Sequence, residues 1–550
     1  MSIKGNKILL FQLSIALTAA LLFIPFLGGI HLFDWDEVNF AESAREMIVS
    51  KDYLTVQIDF KPFWEKPPLF IWMQVISMKI FGINEFAARF PNAVCGILTL
   101  LILFNTGRRI YDEKFGFIWV MAWMGSFLPF FYFKSGIIDP WFNLFIFSGI
   151  CFFVFFAHNI NKKNTWHLVL SAVFIGMAIL TKGPVALIIF ILTVIIYWIF
   201  NGFKLPLALP DIITFAVILL IVGGSWFLLQ IISGDSHIVA GFVKYQARLF
   251  QTKDAGHGGF FLYHFVVLLA GVFPASVFAL QGFVKHPADN FFQRSFRRWM
   301  IILFWVVLIL FSIVKTKIVH YSSLCYFPLT YLAAFIIYKV INKEIKYSKW
   351  LNIIILSLGF IYSLAVILLP VINKYKQQII DSGKIHDQFA AGCLRAEVSW
   401  PGLISVIGTI LIAGVLVFVF CSKQKHFAKG VISLFAASAV FVLLSILTIA
   451  PRVERYVQNA AIQFFKDKKD EDAYFATLGY KSYAHYFYTD KRMPLIKKSY
   501  DKQWLLSGDI DKKAYFSIKI DKKDKILKEY PGLKLLYEKD GFVFCERTPE

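Results

Sequence analysis

Residues 34–47 read DWDEVNFAESAREM and residues 63–72 read FWEKPPLFIW, and both stretches follow an apolar run from about Leu9 to Ile30. Acids, a lysine and paired prolines beside lipid are costly unless a polar substrate uses them, so chemistry at a bilayer surface is expected of this loop. The run before it is too long for the apolar part of a signal peptide, and no small-residue cleavage site follows, so it reads as a retained signal anchor.

Working outward, 58% of the 550 residues are hydrophobic, 18% are aromatic and 60 are Phe. That apolar content exceeds what a soluble domain carries, and the chain reads as a mainly α, polytopic membrane protein. Further runs of spanning length centre near residues 96, 124, 148, 173, 191, 221, 272, 306, 330, 360, 411 and 440, giving about thirteen helices. The pair divided by Thr181-Lys182-Gly183-Pro184 leaves the count open by one.

Loop charges set the orientation. Lys4 and Lys7, then Arg108, Arg109 and Lys114, then Lys162 and Lys163, and later clusters through Lys423, Lys425 and Lys429 fall on alternate loops. The positive-inside rule therefore puts the N-terminus in the cytoplasm and the tail outside, with the first outer loop at residues 31–85. Much of the net charge of +21 lies in those basic loops and in the tail. Orientation and attraction to anionic membrane lipid account for it, without a nucleic-acid partner.

The composition divides the chain into a membrane region, 1–450, and an extracytoplasmic domain, 451–550. In the latter, DAYFATLG, KAYFSIKI and LKLLYEKDGFVFCER read as strands, with SYAHYFYT and KKDKILKEY as helical pieces between them, a small α/β domain. His485 is expected to pack rather than react. Cys393 and Cys545 both lie outside the spans, and spacing does not decide whether they pair.

No P-loop, GxGxxG, CxxC, HExxH or EF-hand pattern occurs in the sequence. An enzyme facing outward has no soluble nucleotide sugar, so an activated group must arrive on a membrane carrier, and a polyprenyl phosphate fits. Its phosphate leaving group needs a cation, and the acceptor needs a base or an orienting carboxylate. The first outer loop offers both, as Asp36 with Glu37 and as Glu65-Lys66-Pro67-Pro68. There the second proline suits a helix's first turn while the first keeps Lys66 extended. The plainer alternative is that Lys66 snorkels and the acids cap a helix. A transporter or flippase of lipid-linked glycans is the rival from another class. It should hold its ionisable residues near the bilayer midplane, whereas the strongest cluster here lies at one face.

The Asp-Glu pair followed by AREM, and then EKPPL with a nearby Trp, resembles the ArnT-like and protein-mannosyltransferase-like families of GT-C glycosyltransferases. The resemblance implies a GT-C fold of about thirteen spans with a C-terminal periplasmic domain. It also implies transfer of one sugar, with inversion, from a polyprenyl phosphate to a lipid, glycan or protein acceptor outside the cytoplasmic membrane. By the same resemblance Asp36 matches the catalytic aspartate, Glu37 its partner, and Asp139 in SGIIDPWF a second loop aspartate. Lys66, Lys182 in LTKGPVAL and Lys317 in KTKIVHYSSLCYFPL match phosphate-binding lysines. Glu65 and His257 match half of a metal site, with His264 the alternative histidine, and a divalent metal such as zinc is the one cofactor in view. Where the aminoarabinose transferases read D-E-x-R-Y-A-E, this chain has Asn39 and Phe40, which puts a phosphate-bearing acceptor such as lipid A in question.

Overall fold

The computed structural model describes residues 3–158, 164–204, 207–251, 259–284, 286, 289–423, 426–493 and 496–549. Among them nine helices are long and apolar enough to cross a membrane. Three further spans are broken helix pairs, Glu113–Met124 with Phe127–Lys134, Leu209–Gly223 with Ser225–Ile232, and Tyr263–Gly271 with Ala275–Gly282, bent by 84°, 54° and 113°. Gly125, Gly224 and Pro274 stand at the breaks, the residue types that interrupt a helical ladder. The short helix Val185–Phe200, 16 residues long, completes the thirteen expected segments.

Thr165–Lys182 and Val185–Phe200 form the pair whose count was open, and the joint between them decides it. Gly183 adopts φ +103°, a conformation that side-chain-bearing residues avoid, and Pro184 then precedes the next helix. The helix therefore breaks at Gly183 and leaves Lys182 as its last residue.

The first outer loop is structured rather than open. Asp36–Ser50 is a helix lying on the membrane bundle, and every residue from Glu37 to Met47 in it is buried. It leads into a tiny hairpin, β1 (Gln57–Ile58) and β2 (Lys61–Pro62), turned by Asp59 and Phe60, both at positive φ. Two consecutive left-handed residues are what a tight two-residue hairpin turn requires. Helix Leu69–Phe81 follows directly after Pro67-Pro68.

The last spanning helix runs from Phe427 to Val457, through Pro451 and past the expected boundary at 450. Beyond it, β3 (Tyr474–Leu478), β4 (Ala514–Lys519), β5 (Lys534–Lys539) and β6 (Phe542–Arg547) form one sheet in the order β3-β4-β6-β5. β3 and β4 are parallel, joined by a helical crossover, and β5 and β6 form an antiparallel hairpin. Cys393 and Cys545 are free thiols, the latter opposite Phe516 inside the sheet. His485 is buried against Phe465 and Tyr486, a packing residue as expected.

This domain clamps the first loop. Val38, Ala41, Ala44 and Met47 share one apolar cluster with Phe464, Phe487, Tyr488 and Phe544. The contact is also polar: Tyr488 Oη accepts from Leu32 N–H at 2.7 Å, Gln458 Oε1 from Asp34 N–H at 3.1 Å, and Lys491 pairs with Asp59.

Candidate active site

The loop presents Asp36 from the first turn of its helix, immediately after a strained residue. Trp35 sits at φ 73°, ψ −110°, outside any favoured basin, and contributes no side-chain cap. Strain of this kind persists only where the surroundings over-determine it, and here it sets the direction in which Asp36 leaves the turn. Asp36 is partly exposed. Its Oδ2 lies 3.4 Å from His320 Nε2, and that nitrogen is 3.9 Å from Asp139 Oδ2. Lys182 Nζ in turn donates to Asp139 Oδ1 at 2.6 Å. A carboxylate, an imidazole, a second carboxylate and an ammonium thus run in sequence, carried on four different segments. Asp139 Oδ2 is buried with no hydrogen-bond partner among the described residues, leaving an acceptor free beside Asp36.

Next to this row lies a cavity lined by Lys66, Asp139, Lys182, Gln246 and Tyr321 on its polar side. Val185, Ile188 and Ile189 from one helix, and Leu310, Phe311 and Val314 from another, make its apolar wall. Spacings of three and four residues place each set on one helix face. Ile188 is 38% exposed, so this wall opens sideways toward lipid. The cavity is polar at one end and greasy along its flank.

Lys66 lines the cavity. Its ammonium makes no hydrogen bond or ion pair among the described residues and stands 5.4 Å above the Tyr245 ring. Burial lowers its pKa. Glu65, Asp36 and Asp139 oppose that shift, and Lys182 adds to it, so four charged neighbours act on one unpaired cation. Lys182 also faces the rings of Tyr321 and Phe142 at 5.2 and 5.6 Å.

Other expected site residues are used differently. Glu37 is buried away from the cavity and bound twice to Arg89, at 2.9 and 2.7 Å, while its oxygens also accept from the Phe33 and Gly136 N–H groups. Burial alone would raise its pKa, but the guanidinium and these donors hold it below the ordinary carboxylate value. A carboxylate so fully engaged positions the helix, and severing a buried pair of this kind costs about 3–5 kcal/mol. Lys317 is a correction to the phosphate-binding expectation: its Nζ donates to the carbonyls of Phe311, Ser312 and Val314 at 3.0, 2.6 and 2.7 Å. It caps the end of helix Phe291–Ile313, where unpaired carbonyls attract a cation. Lys134 does the same for the first helix, donating to Leu22, Phe23 and Pro25.

Glu65 accepts from Tyr245 Oη at 3.1 Å, and His257 lies outside the described residues. Among the described residues no group of three His, Cys, Asp or Glu side chains gathers to hold a metal ion. His264 is buried, with Nδ1 3.1 Å from Ser322 Oγ. Asn39 and Phe40, the two departures from the aminoarabinose-transferase pattern, are both buried, with Phe40 edge-on to Phe70. Asn39 Oδ1 has no hydrogen-bond partner among the described residues.

With this geometry in place, comparisons with known proteins are informative. The family profile described as dolichyl-phosphate-mannose-protein mannosyltransferase matches residues 65–226. The undecaprenyl phosphate-alpha-4-amino-4-deoxy-L-arabinose arabinosyl transferase of Photorhabdus laumondii is 25% identical over 360 residues, 64% of this chain and 63% of that protein. The enzyme of the same name from Shewanella sediminis is 26% identical over 367 residues, 65% of this chain and 66% of that protein. The alignments thus span just under two thirds of these relatives. The crystal structure of ArnT from Cupriavidus metallidurans bound to undecaprenyl phosphate superposes with a TM-score of 0.73 at 16% identity, covering 100% of both chains. The fold is therefore that of ArnT, and the resemblance read from the first outer loop holds.

Proposed function

With the GT-C fold as premise, we propose that this protein is a membrane glycosyltransferase that moves one sugar from a polyprenyl phosphate to an acceptor at the outer face of the cytoplasmic membrane. The observation that carries this reading is the cavity in which Lys66 and Lys182 stand at the polar end of a lipid-facing apolar wall, with Asp36 alongside. The prenyl chain lies along Val185, Ile188 and Phe311, and the phosphodiester meets the two ammonium groups. The acceptor hydroxyl attacks C1 of the sugar from the Asp36 side. The bond from C1 to the carrier phosphate oxygen breaks as the new glycosidic bond forms, inverting C1. Asp36 takes the hydroxyl proton, and the departing polyprenyl phosphate, now a dianion, is stabilised by Lys66 and Lys182. His320 sits between Asp36 and Asp139 and orients the base.

The curated relatives are named for aminoarabinose transfer from undecaprenyl phosphate, which supports a pentose-like sugar on a polyprenyl-phosphate carrier here. A transporter is disfavoured by the placement of the charged row at one end of the bundle. The test is reconstitution of the purified chain in liposomes with polyprenyl-phosphate sugars, followed by mass spectrometry of candidate acceptors. Glycosylated product together with free polyprenyl phosphate supports the reading. Donor crossing the bilayer intact, with no product, supports the transporter instead.

A further inference from the structure

At the end of the bundle opposite the catalytic cavity, two helices face each other across a gap. Helix Glu85–Ile110 turns Leu98, Leu101, Ile102 and Asn105 toward it, and then Arg108 and Arg109 in its last turn. Helix Asp139–His158 answers with Ser148, Cys151, Phe152 and Phe155. Offsets of three, four and seven residues make each set a single stripe, yet the stripes do not close on each other. They leave a cavity of about 410 Å³.

Its chemistry is graded. Leu98 is 39% exposed at the apolar side, whereas the basic end holds two guanidinium groups. Among the described residues neither has a carboxylate partner: Arg108 donates to Asn105, and the Arg109 guanidinium stands over the Phe155 ring at 4.1 Å. Ser148, 1% exposed, lines the same gap with its hydroxyl unpaired among the described residues. Two arginines serving only to orient the chain would need no groove between them and the bilayer interior. A basic pocket between spanning helices, continuous with an apolar cleft, is the shape that receives a lipid headgroup and its acyl chain.

We propose that this groove binds an anionic glycerophospholipid of the leaflet opposite the active site, its phosphate on Arg108 and Arg109 and one acyl chain along Leu98, Leu101 and Phe152. Charge complementarity selects the occupant: a zwitterionic lipid would bring its own ammonium to the two guanidinium groups. The proposal rests on the membrane placement of the helices and not on sugar transfer, so lipid retention tests it without turnover.

The experiment is native mass spectrometry of the full chain released from nanodiscs containing phosphatidylglycerol, phosphatidylethanolamine and undecaprenyl phosphate. Phosphatidylglycerol is expected to stay bound through detergent exchange. Retention should fall about 30-fold in Arg108→Gln/Arg109→Gln, each arginine contributing as a basic group near an anionic surface does. Leu101→Trp, which fills the cleft and leaves the charges, should displace the same lipid, and it keeps the test open if the double variant folds poorly. Equal retention by these variants, or equal retention of phosphatidylethanolamine, overturns the proposal. So does occupancy of the groove by undecaprenyl phosphate.

Discussion

Asp36 is the one carboxylate of its row that is open to solvent, with His320 3.4 Å behind it. Asp36→Asn keeps the shape and removes the base, so transfer is expected to fall on the order of 100-fold or more with membrane insertion unchanged. Turnover by the purified variant in the liposome assay checks this. Lys66→Met keeps the apolar stem and deletes the unpaired charge, and binding of a short-chain polyprenyl phosphate should weaken on the order of tenfold together with the rate. Lys317→Met should leave that affinity nearly unchanged and lower thermal stability, because its cation serves a helix end. The three lysines carried the same phosphate-binding expectation from the sequence. Lys66 and Lys182 reach the cavity while Lys317 is consumed by carbonyls, and only the path of the chain after Ile313 distinguishes them. His320 went unread for the same reason. It lies three residues past Lys317 in the same KTKIVHYSS stretch, but its place between two carboxylates depends on segments about 280 and 180 residues away in sequence.

Among the elements, the helix Asp36–Ser50 carries the most buried charge. Glu42 binds Arg45 at 2.7 and 2.6 Å, and Glu46 accepts from the Asp59 and Phe60 N–H groups of the hairpin turn, at 2.7 Å each. Burial, with the Glu42 carboxylate adding to it, pushes Glu46 up to about 9 from an ordinary 4.5. The folded chain then holds a proton that the unfolded chain has lost between those values. The contribution of this group to stability is therefore full below about pH 4.5 and declines as the pH rises toward 9. Glu46→Gln, which mimics the protonated form, is expected to flatten that decline, as measured by thermal unfolding in detergent at pH 5, 7 and 9. The helix was legible only as something the loop acids could cap, and the hairpin was not: strands of two residues are too short to show alternation, and their turn uses Asp and Phe where Asn-Gly would have signalled it.

For the molecule as a whole, the apolar runs revealed the spans because length and hydropathy alone decide them, and the strand patterns of the tail survived intact into β3 to β6. What could not be read was the docking of that tail on the first loop, which joins residues more than 400 positions apart through Leu32 with Tyr488 and Asp34 with Gln458. Orientation is open to a direct test. A cysteine replacing Ser507 should react with an impermeant thiol reagent in spheroplasts, while one replacing Lys343 should react only after the membrane is breached. The clamp also sets an order of events during biosynthesis. Asp36 leaves the ribosome more than 400 residues before the surface that buries its helix. A chain stopped after Val457 should insert but leave residues 37–47 open to added protease and be inactive, whereas the finished chain resists. The loop that carries Asp36 is thus not set until residues 458–549 have folded onto it.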